Sequence, residues 1–150
     1  MTISHKPFYF IRHGETDWNR KHIFMGQKYI PLNQYGIEQA KEAAKNLASV
    51  EIASIATSPL KRATKTAEII TESIKKPITF IEELKECCWG IKEGQAADDE
   101  TFFKKWLEGH GPAGAETVQE FEERVLSGLN QALKLPGLCL SLRTEAFTRL

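Results

Sequence analysis

Two short segments of the sequence carry side chains suited to binding an anion. The first, Arg12-His13-Gly14, directly follows the apolar run 8–11. The second places Arg62 just after Thr57-Ser58-Pro59, where a helix is expected to begin. A helix N-terminus attracts anions through its free N–H groups, and an arginine there adds a two-pronged donor. Taken alone, the first segment is better explained as a charged, solvated corner between a strand and a loop. The second is better explained as an ordinary surface arginine.

Both segments are expected to follow strands of a parallel sheet. Residues 8–11 are continuously apolar and predict a strand buried on both faces. Further strands are predicted at residues 52–57 and 78–81. Ligands of open α/β sheets bind beyond the carboxyl ends of the strands, where His13 and Arg62 would then lie.

Apolar residues at helical spacing predict the connecting helices. One helix is expected around residues 37–47, and another around 60–70 with Ser58 as its N-cap and Pro59 in its first turn. A third contains residues 102–107, and a capping box at residues 117–120 opens a fourth. The alternation of strands and helices predicts an α/β fold: a three-layer sandwich with a mostly parallel central sheet and helices on both faces, in one domain spanning residues 1–150.

The bulk composition excludes several classes of partner. The formal net charge of the 150-residue chain is zero, so neither a nucleic acid nor an acidic membrane is an expected partner. No apolar stretch approaches the length of a membrane span. The three cysteines include an adjacent pair, Cys87 and Cys88, which does not indicate a disulfide framework. A reducing, cytoplasmic location is therefore expected.

Histidine could also serve a metal, but the spacing does not favour this. The four histidines show no paired ligand spacing, and adjacent cysteines lack the usual separation for zinc. The sequence also has no Gly-x-x-x-x-Gly-Lys phosphate loop. We therefore expect neither a metal nor a cofactor.

Several ordered motifs together resemble the histidine phosphatase superfamily, the phosphoglycerate mutase-like proteins. The resemblance covers about residues 8–136 and rests on five segments, which are 12–19, 26–40, 57–67, 84–90 and 114–117. It implies that His13 accepts a phosphoryl group, with Arg12, Asn19, Gly26 and Arg62 binding the phosphate. It also implies that Glu86 acts as the acid and base, although Glu86 by itself is equally typical of a solvated carboxylate.

The resemblance implies a small phosphorylated substrate or inorganic phosphate as the ligand. A phosphatase acting on a sugar phosphate or α-ribazole phosphate is favoured over a mutase, since the interval between Glu86 and Glu116 is short. Two alternatives stay open: phosphoryl transfer of the mutase type, and a non-catalytic protein that binds phosphate or a partner.

The tail, residues 138–150, does not resemble the end of this family. A second active-site histidine followed by glycine has no match, and His110 lies in a loop before the last predicted helix. If the codons from about Leu138 are read one base earlier, they permit the missing motif. We therefore interpret the tail as the product of a frameshift. The last strand and helix of the fold would then be altered or missing. Weak or absent activity and a homodimer formed through exposed apolar surface or a sheet edge are then expected. Sequencing the gene tests this hypothesis.

Overall fold

A computed structural model describes residues 2–143 of the chain. Its strands are β1 (Phe8–Arg12), β2 (Ser54–Thr57), β3 (Ile78–Phe80) and β4 (Cys139–Arg143). Its α-helices are α1 (Asp17–Arg20), α2 (Gln34–Leu47), α3 (Lys61–Ile74), α4 (Phe102–Leu107) and α5 (Val118–Leu133). Two short 3₁₀ helices, Glu82–Leu84 and Gly90–Lys92, lie between β3 and α4.

The four strands form one parallel sheet in the order β1-β4-β2-β3. Ser141 of β4 lies opposite Phe10 of β1 and Ala56 of β2. Parallel neighbours need crossover connections, and α2, α3 and α5 are the long helices available for them. The predicted parallel α/β sheet is confirmed.

Helices cover both faces of the sheet, as predicted. On one face, Ile55 and Leu140 pack with residues of α2 and α3, including Ala44 and Ile70. On the other face, the residues adjacent to these in the strands, Ala56 and Cys139, pack with α4 and α5. Successive strand residues point to opposite faces, so β2 and β4 are buried on both sides. Each fully buried Leu or Ile contributes about 2 kcal/mol to the stability of this core.

Strand β1 is less buried than its apolar sequence predicts. Tyr9 is 45% exposed and Phe10 38% exposed, so the prediction of a strand buried on both faces is wrong. β1 lies at the edge of the sheet and pairs, among the described strands, with β4 alone. An edge strand receives less cover from its neighbours than a central one does.

The last described strand decides one part of the interpretation of the tail, which left the last strand either altered or missing, while the frameshift itself stays a prediction. β4 is not missing: it occupies the middle of the sheet and pairs with both β1 and β2. Its apolar residues Cys139, Leu140 and Leu142 are completely buried, which is why a sequence unlike the family's still forms a strand here. The predicted loss of the following helix falls on residues 144–150, which lie outside the described residues.

The helix starts agree with the sequence at α5 but differ at α2 and α3. Helix α2 begins at Gln34, three residues before the predicted start, because the Asn33 side chain caps it by accepting a hydrogen bond from the Gly36 N–H. Thr117 and Glu120 form the predicted capping box of α5.

Helix α3 begins two residues later than expected, with Leu60 in extended conformation at the N-cap, so the predicted N-cap at Ser58 is wrong. The Ser58 hydroxyl still accepts a hydrogen bond from the Leu60 N–H at 3.3 Å. It therefore stabilises the approach to the helix rather than its first turn.

None of the helices found within residues 2–143 is both long and apolar enough to cross a membrane.

Candidate active site

His13 is buried in the loop that follows β1, with 5% of its surface exposed. Its Nδ1 lies 2.6 Å from the carbonyl oxygen of Gly14, and its Nε2 lies 3.2 Å from Nε of Arg62. A carbonyl oxygen only accepts a hydrogen bond and a guanidinium nitrogen only donates one. The proton is therefore on Nδ1, and Nε2 carries a lone pair.

The surroundings of His13 keep its imidazole neutral by lowering its pKa from 6.5 to about 3. Burial is the largest cause, because it removes water from the charged form. The positive charge of Arg62 lowers the pKa further, and that of Arg12 adds a smaller effect. The hydrogen bond to the Gly14 carbonyl acts in the opposite direction.

Arg62 is a completely buried arginine in the first turn of α3, so the interpretation of an exposed surface arginine is wrong. Its Nη1 donates to the carbonyl of Lys28 at 3.0 Å and its Nη2 to that of Gly26 at 2.7 Å, while Nε donates to His13. The guanidinium is thus fixed in orientation by three partners.

Gly26 supports Arg62 and is itself required by its neighbours. Its φ is +49°, and a Cβ at this position would lie 2.0 Å from Oε1 of Glu93. The same Glu93 oxygen accepts hydrogen bonds from the backbone N–H groups of Gln27 and Trp89. A side chain at position 26 would clash with this carboxylate, so only glycine can place its carbonyl group where it binds Arg62. The contact observed for Gly26 is therefore with the arginine, and direct contact with phosphate stays a prediction.

Asn19 is oriented by the capping of helix α1. Its Oδ1 accepts hydrogen bonds from both the N–H and the hydroxyl of Thr16, each at 3.0 Å. Because the backbone N–H can only donate, the carbonyl side of the amide must face Thr16. The NH₂ group of Asn19 is then the side that can serve a ligand in the adjoining cavity, which Asn19 lines.

Arg12 ends β1 and differs from Arg62 in its exposure. Its side chain lies at the surface, where it lines the same two cavities as Asn19. Its charge acts on His13 and on Arg62, lowering the pKa of each. The two arginines therefore offer one fixed and one solvent-accessible cation to this region.

Glu86 is buried, with 5% of its surface exposed, so the interpretation of a solvated carboxylate is wrong. Its Oε1 accepts a hydrogen bond from the Cys87 N–H at 2.9 Å. Its negative charge raises the pKa of the buried Arg62, which desolvation lowers. The carboxyl group lines the cavity that Arg12 and Asn19 also line.

Two adjoining cavities surround these residues. One, of about 460 Å³, is lined by His13 and by residues of α2 and α3. The other, of about 510 Å³, is lined by Glu86 and Gly26 and by aromatic walls, namely Trp18, Phe24, Trp89 and Phe103. Arg12, Glu15 and Asn19 line both. The residues predicted to act together are thus brought to one region, with room beside them for a small molecule.

Two glycines let the loop that carries His13 approach helix α2. A Cβ on Gly14 would lie 2.3 Å from the Gly36 carbonyl oxygen, and a Cβ on Gly36 would lie 2.1 Å from the backbone carbonyl oxygen of Glu15. Both distances are far shorter than a van der Waals contact, so the two backbone segments can approach each other only if both residues are glycine. The Gly14 N–H also donates to the Thr66 hydroxyl at 3.2 Å, and that hydroxyl donates to the Arg62 carbonyl at 2.8 Å.

Three further residues of this region were not predicted from the sequence. Thr66 links the His13 loop to α3, and its position four residues after Arg62 on the same helical face was a usable signal. Gln27 donates to the carbonyl of Glu86 at 3.1 Å. His22 lines the larger cavity, although nothing in its spacing distinguished it from the other histidines.

Within residues 2–143 no three His, Cys, Asp or Glu side chains are grouped so as to hold a metal ion. The three cysteines are free thiols.

Comparison with known proteins identifies the family. Residues 8–137 match the histidine phosphatase superfamily (branch 1). The chain belongs to this superfamily. The matched span agrees with the resemblance found in the motifs of the sequence, and it includes every residue of the candidate site.

Individual superfamily members are similar over most of the chain. An uncharacterized phosphatase, PhoE, of Bacillus subtilis (strain 168) is 40% identical over 125 residues, which are 81% of this chain and 63% of PhoE. A probable phosphoglycerate mutase, GpmB, of Salmonella choleraesuis (strain SC-B67) is 35% identical over 85% of this chain and 63% of its own length. The crystal structure of the α-ribazole phosphatase from Shigella flexneri superposes with a TM-score of 0.79 and 27% identity, covering 92% of this chain and 73% of that one. The chain thus spans slightly less than two thirds of the length of PhoE and of GpmB.

Proposed function

We propose that this histidine phosphatase superfamily member hydrolyses phosphomonoesters through a phosphohistidine at Nε2 of His13. The observation that carries the proposal is the tautomer: Nδ1–H is bound to the Gly14 carbonyl, and the lone pair on Nε2 meets a buried arginine. A neutral imidazole with a directed lone pair is the form that attacks phosphorus. Histidine on an ordinary surface would be partly protonated near pH 6.5.

In the first step, Nε2 of His13 forms a bond to phosphorus as the bond from phosphorus to the leaving oxygen breaks. The hydrogen bond between Nε2 and Arg62 is given up, and the Arg62 N–H groups bind phosphoryl oxygens instead. Arg12 and the NH₂ group of Asn19 bind the same group from the cavity side. Such donors lower the barrier by stabilising charge that builds up in the transition state.

Glu86 supplies the proton that this step needs. In its protonated form it donates to the leaving oxygen, so the alcohol departs neutral. The resulting carboxylate takes a proton from water as the water oxygen attacks phosphorus and the bond to Nε2 breaks. Inorganic phosphate leaves, and both His13 and Glu86 return to their starting forms.

The larger cavity supports a small phosphorylated substrate of the phosphatase type. Its described lining contains a single cation, Arg12, beside four carboxylates, which are Glu15, Glu86, Asp99 and Glu100. A second acidic group on the substrate would meet repulsion there, which disfavours phosphoglycerate. Its aromatic walls suit the apolar face of a sugar or a ring.

Single-turnover labelling tests the proposal. The folded chain is mixed with a reactive phosphoryl donor such as acetyl phosphate, and the acid-labile label is located by mass spectrometry. We expect label on His13 that is lost in His13→Gln and kept in His22→Gln, a matched control because His22 lines the same cavity. Label that then hydrolyses supports a phosphatase. Saturable binding of inorganic phosphate by a folded chain without label, or label that persists in His13→Gln, would overturn the proposal.

A further inference from the structure

The proposed acid, Glu86, lies in a segment without regular secondary structure. It follows the 3₁₀ helix Glu82–Leu84 and precedes the one at Gly90–Lys92. A carboxyl group that transfers a proton must be held to a fraction of an ångström. Something outside this segment must therefore fix it.

The side chain of Arg124, on helix α5, binds the segment through its backbone. Nη1 donates to the carbonyls of Glu83 and Lys85 at 2.9 and 3.0 Å, and Nη2 donates to the carbonyl of Glu86 at 3.2 Å. One guanidinium thus holds three carbonyl groups, including that of the proposed acid. A planar fork of donors is needed for this, and lysine cannot supply it.

Glu116 completes the arrangement from the other side of Glu86. Its carboxylate pairs with Nε and Nη2 of Arg124, both at 2.6 Å. The same carboxylate accepts a hydrogen bond from the Cys88 N–H at 2.8 Å, and the Glu116 N–H donates to the Cys88 carbonyl at 2.9 Å. The segment is therefore held on both sides of Glu86 by one largely buried ion pair.

Helix α5 gives this ion pair a rigid base. The guanidinium of Arg124 lies 5.5 Å from the ring centre of Phe121, and Phe121 and Val125 are buried in the core. The helix start is fixed by the capping box of Thr117 and Glu120. A displacement of Arg124 would consequently be transmitted to Glu86 rather than absorbed by the helix.

We propose that Arg124 is a positioning residue for Glu86, and that its ion pair with Glu116 sets the orientation of the Glu86 carboxyl group toward the leaving oxygen. This inference rests on the proposed role of Glu86 as the acid. It assigns a function to a contact that lies outside the cavity and touches no substrate.

The leaving group of the donor provides a specific test. 4-Nitrophenyl phosphate releases a weakly basic phenolate that needs no proton, whereas glycerol 2-phosphate releases an alkoxide that does. Single-turnover labelling of His13 is measured with both donors. Glu86→Gln is expected to slow labelling by glycerol 2-phosphate about 100-fold and to affect the nitrophenyl ester little. Arg124→Lys is expected to show the same selective loss, about 10-fold.

Glu123→Gln is the matched control. The substitution lies on the exposed side of the same helix, where the Glu123 carboxylate accepts a hydrogen bond from Gln119, and it leaves the capping box intact. We expect it to leave the ratio of the two labelling rates unchanged. If Arg124→Lys does not fold, Glu116→Gln replaces it, since this variant weakens the ion pair and keeps the arginine. Equal slowing of both donors, or no slowing, would overturn the inference.

If the wild-type chain is labelled by neither donor, the proposed function fails, and amide hydrogen exchange then decides the positioning role. In that case we expect residues 85–89 to exchange about 10-fold faster in Arg124→Lys than in Glu123→Gln, because the segment loses the donors that hold its carbonyl groups and therefore opens more often. Equal exchange in the two variants would overturn it.

Discussion

The Nε2 of His13 and the Nε of Arg62 lie 3.2 Å apart, although the residues are 49 positions apart in the chain. The contact joins the loop after β1 to the first turn of α3. The Nε2 lone pair of His13, which would attack phosphorus, therefore points at the guanidinium of Arg62, which would bind the oxygens of the phosphoryl group. A phosphoryl group entering this contact meets both functions at once.

The fork of Arg62 is expected to be indispensable for phosphorylation. Arg62→Lys keeps a positive charge but cannot reach His13, Gly26 and Lys28 together, so labelling of His13 should fall about 100-fold. Lys61→Gln, an exposed neighbour on the same helix, is the control and should label at the wild-type rate. Single-turnover labelling with circular dichroism as a check of folding makes the comparison. Wild-type labelling of the lysine variant would contradict the assignment.

Burial of His13 should make stability depend on pH in a defined window. Its pKa is about 3 in the folded chain against an ordinary 6.5. Between these values the unfolded chain binds a proton that the folded chain does not, so stability falls as the pH is lowered through this window, by up to about 1.4 kcal/mol per pH unit. His13→Gln removes this contribution and leaves those of the carboxylates. Urea unfolding from pH 4 to 7.5 should thus show a steeper decline for the wild type; parallel curves would exclude a buried neutral histidine.

Gly14→Ala should be strongly destabilising because its Cβ would lie 2.3 Å from the Gly36 carbonyl oxygen. We expect a loss of about 3 kcal/mol in the free energy of unfolding. Gly109→Ala is an informative comparison, since its φ is +85° but nothing lies within 4 Å of its Cβ. It should cost only about 1 kcal/mol. Equal losses in urea denaturation would show that the close approach is not maintained in solution.

Ser141 carries a buried hydroxyl with no hydrogen-bond partner in the described part of the chain. Ser141→Ala is therefore expected to raise the free energy of unfolding by about 1 kcal/mol. Ser58→Ala makes the same chemical change at a buried hydroxyl that accepts the Leu60 N–H, and it should lower stability by about 1 kcal/mol. Effects of the same sign in thermal or urea unfolding would contradict this interpretation of Ser141.

Motif and periodicity predicted the elements around the site because these signals are local. The stripe of α5 and its capping box appear in the structure where they were expected, as do the helix containing Phe102 and the position of Arg62 in the first turn of α3. The strand pattern placed His13 and Arg62 at the same edge of the sheet, and the family resemblance added Glu86 to them.

Properties that depend on distant segments could not be read from the sequence. The exposure of Tyr9 follows from the edge position of β1, which is set by strand order. The backbone carbonyl of Glu86 is held by Arg124 and Gln27, which reach it from 38 and 59 positions away. The tautomer of His13 depends on the Gly14 carbonyl at Nδ1 and on Arg62 at Nε2, and the second contact comes from 49 positions away.

The order of the strands also has a consequence for the timing of assembly. β4 lies between β1 and β2, yet it is the last of the four to be synthesised. A nascent chain emerging from the ribosome holds β1 and β2 before the strand that joins them exists. The pairing that aligns the end of β1 with the end of β2 forms only after Cys139–Arg143 is inserted. The contact between His13 and Arg62 is therefore a late event in biogenesis, and a ribosome-bound chain that has not yet inserted β4 should lack the proposed phosphate site.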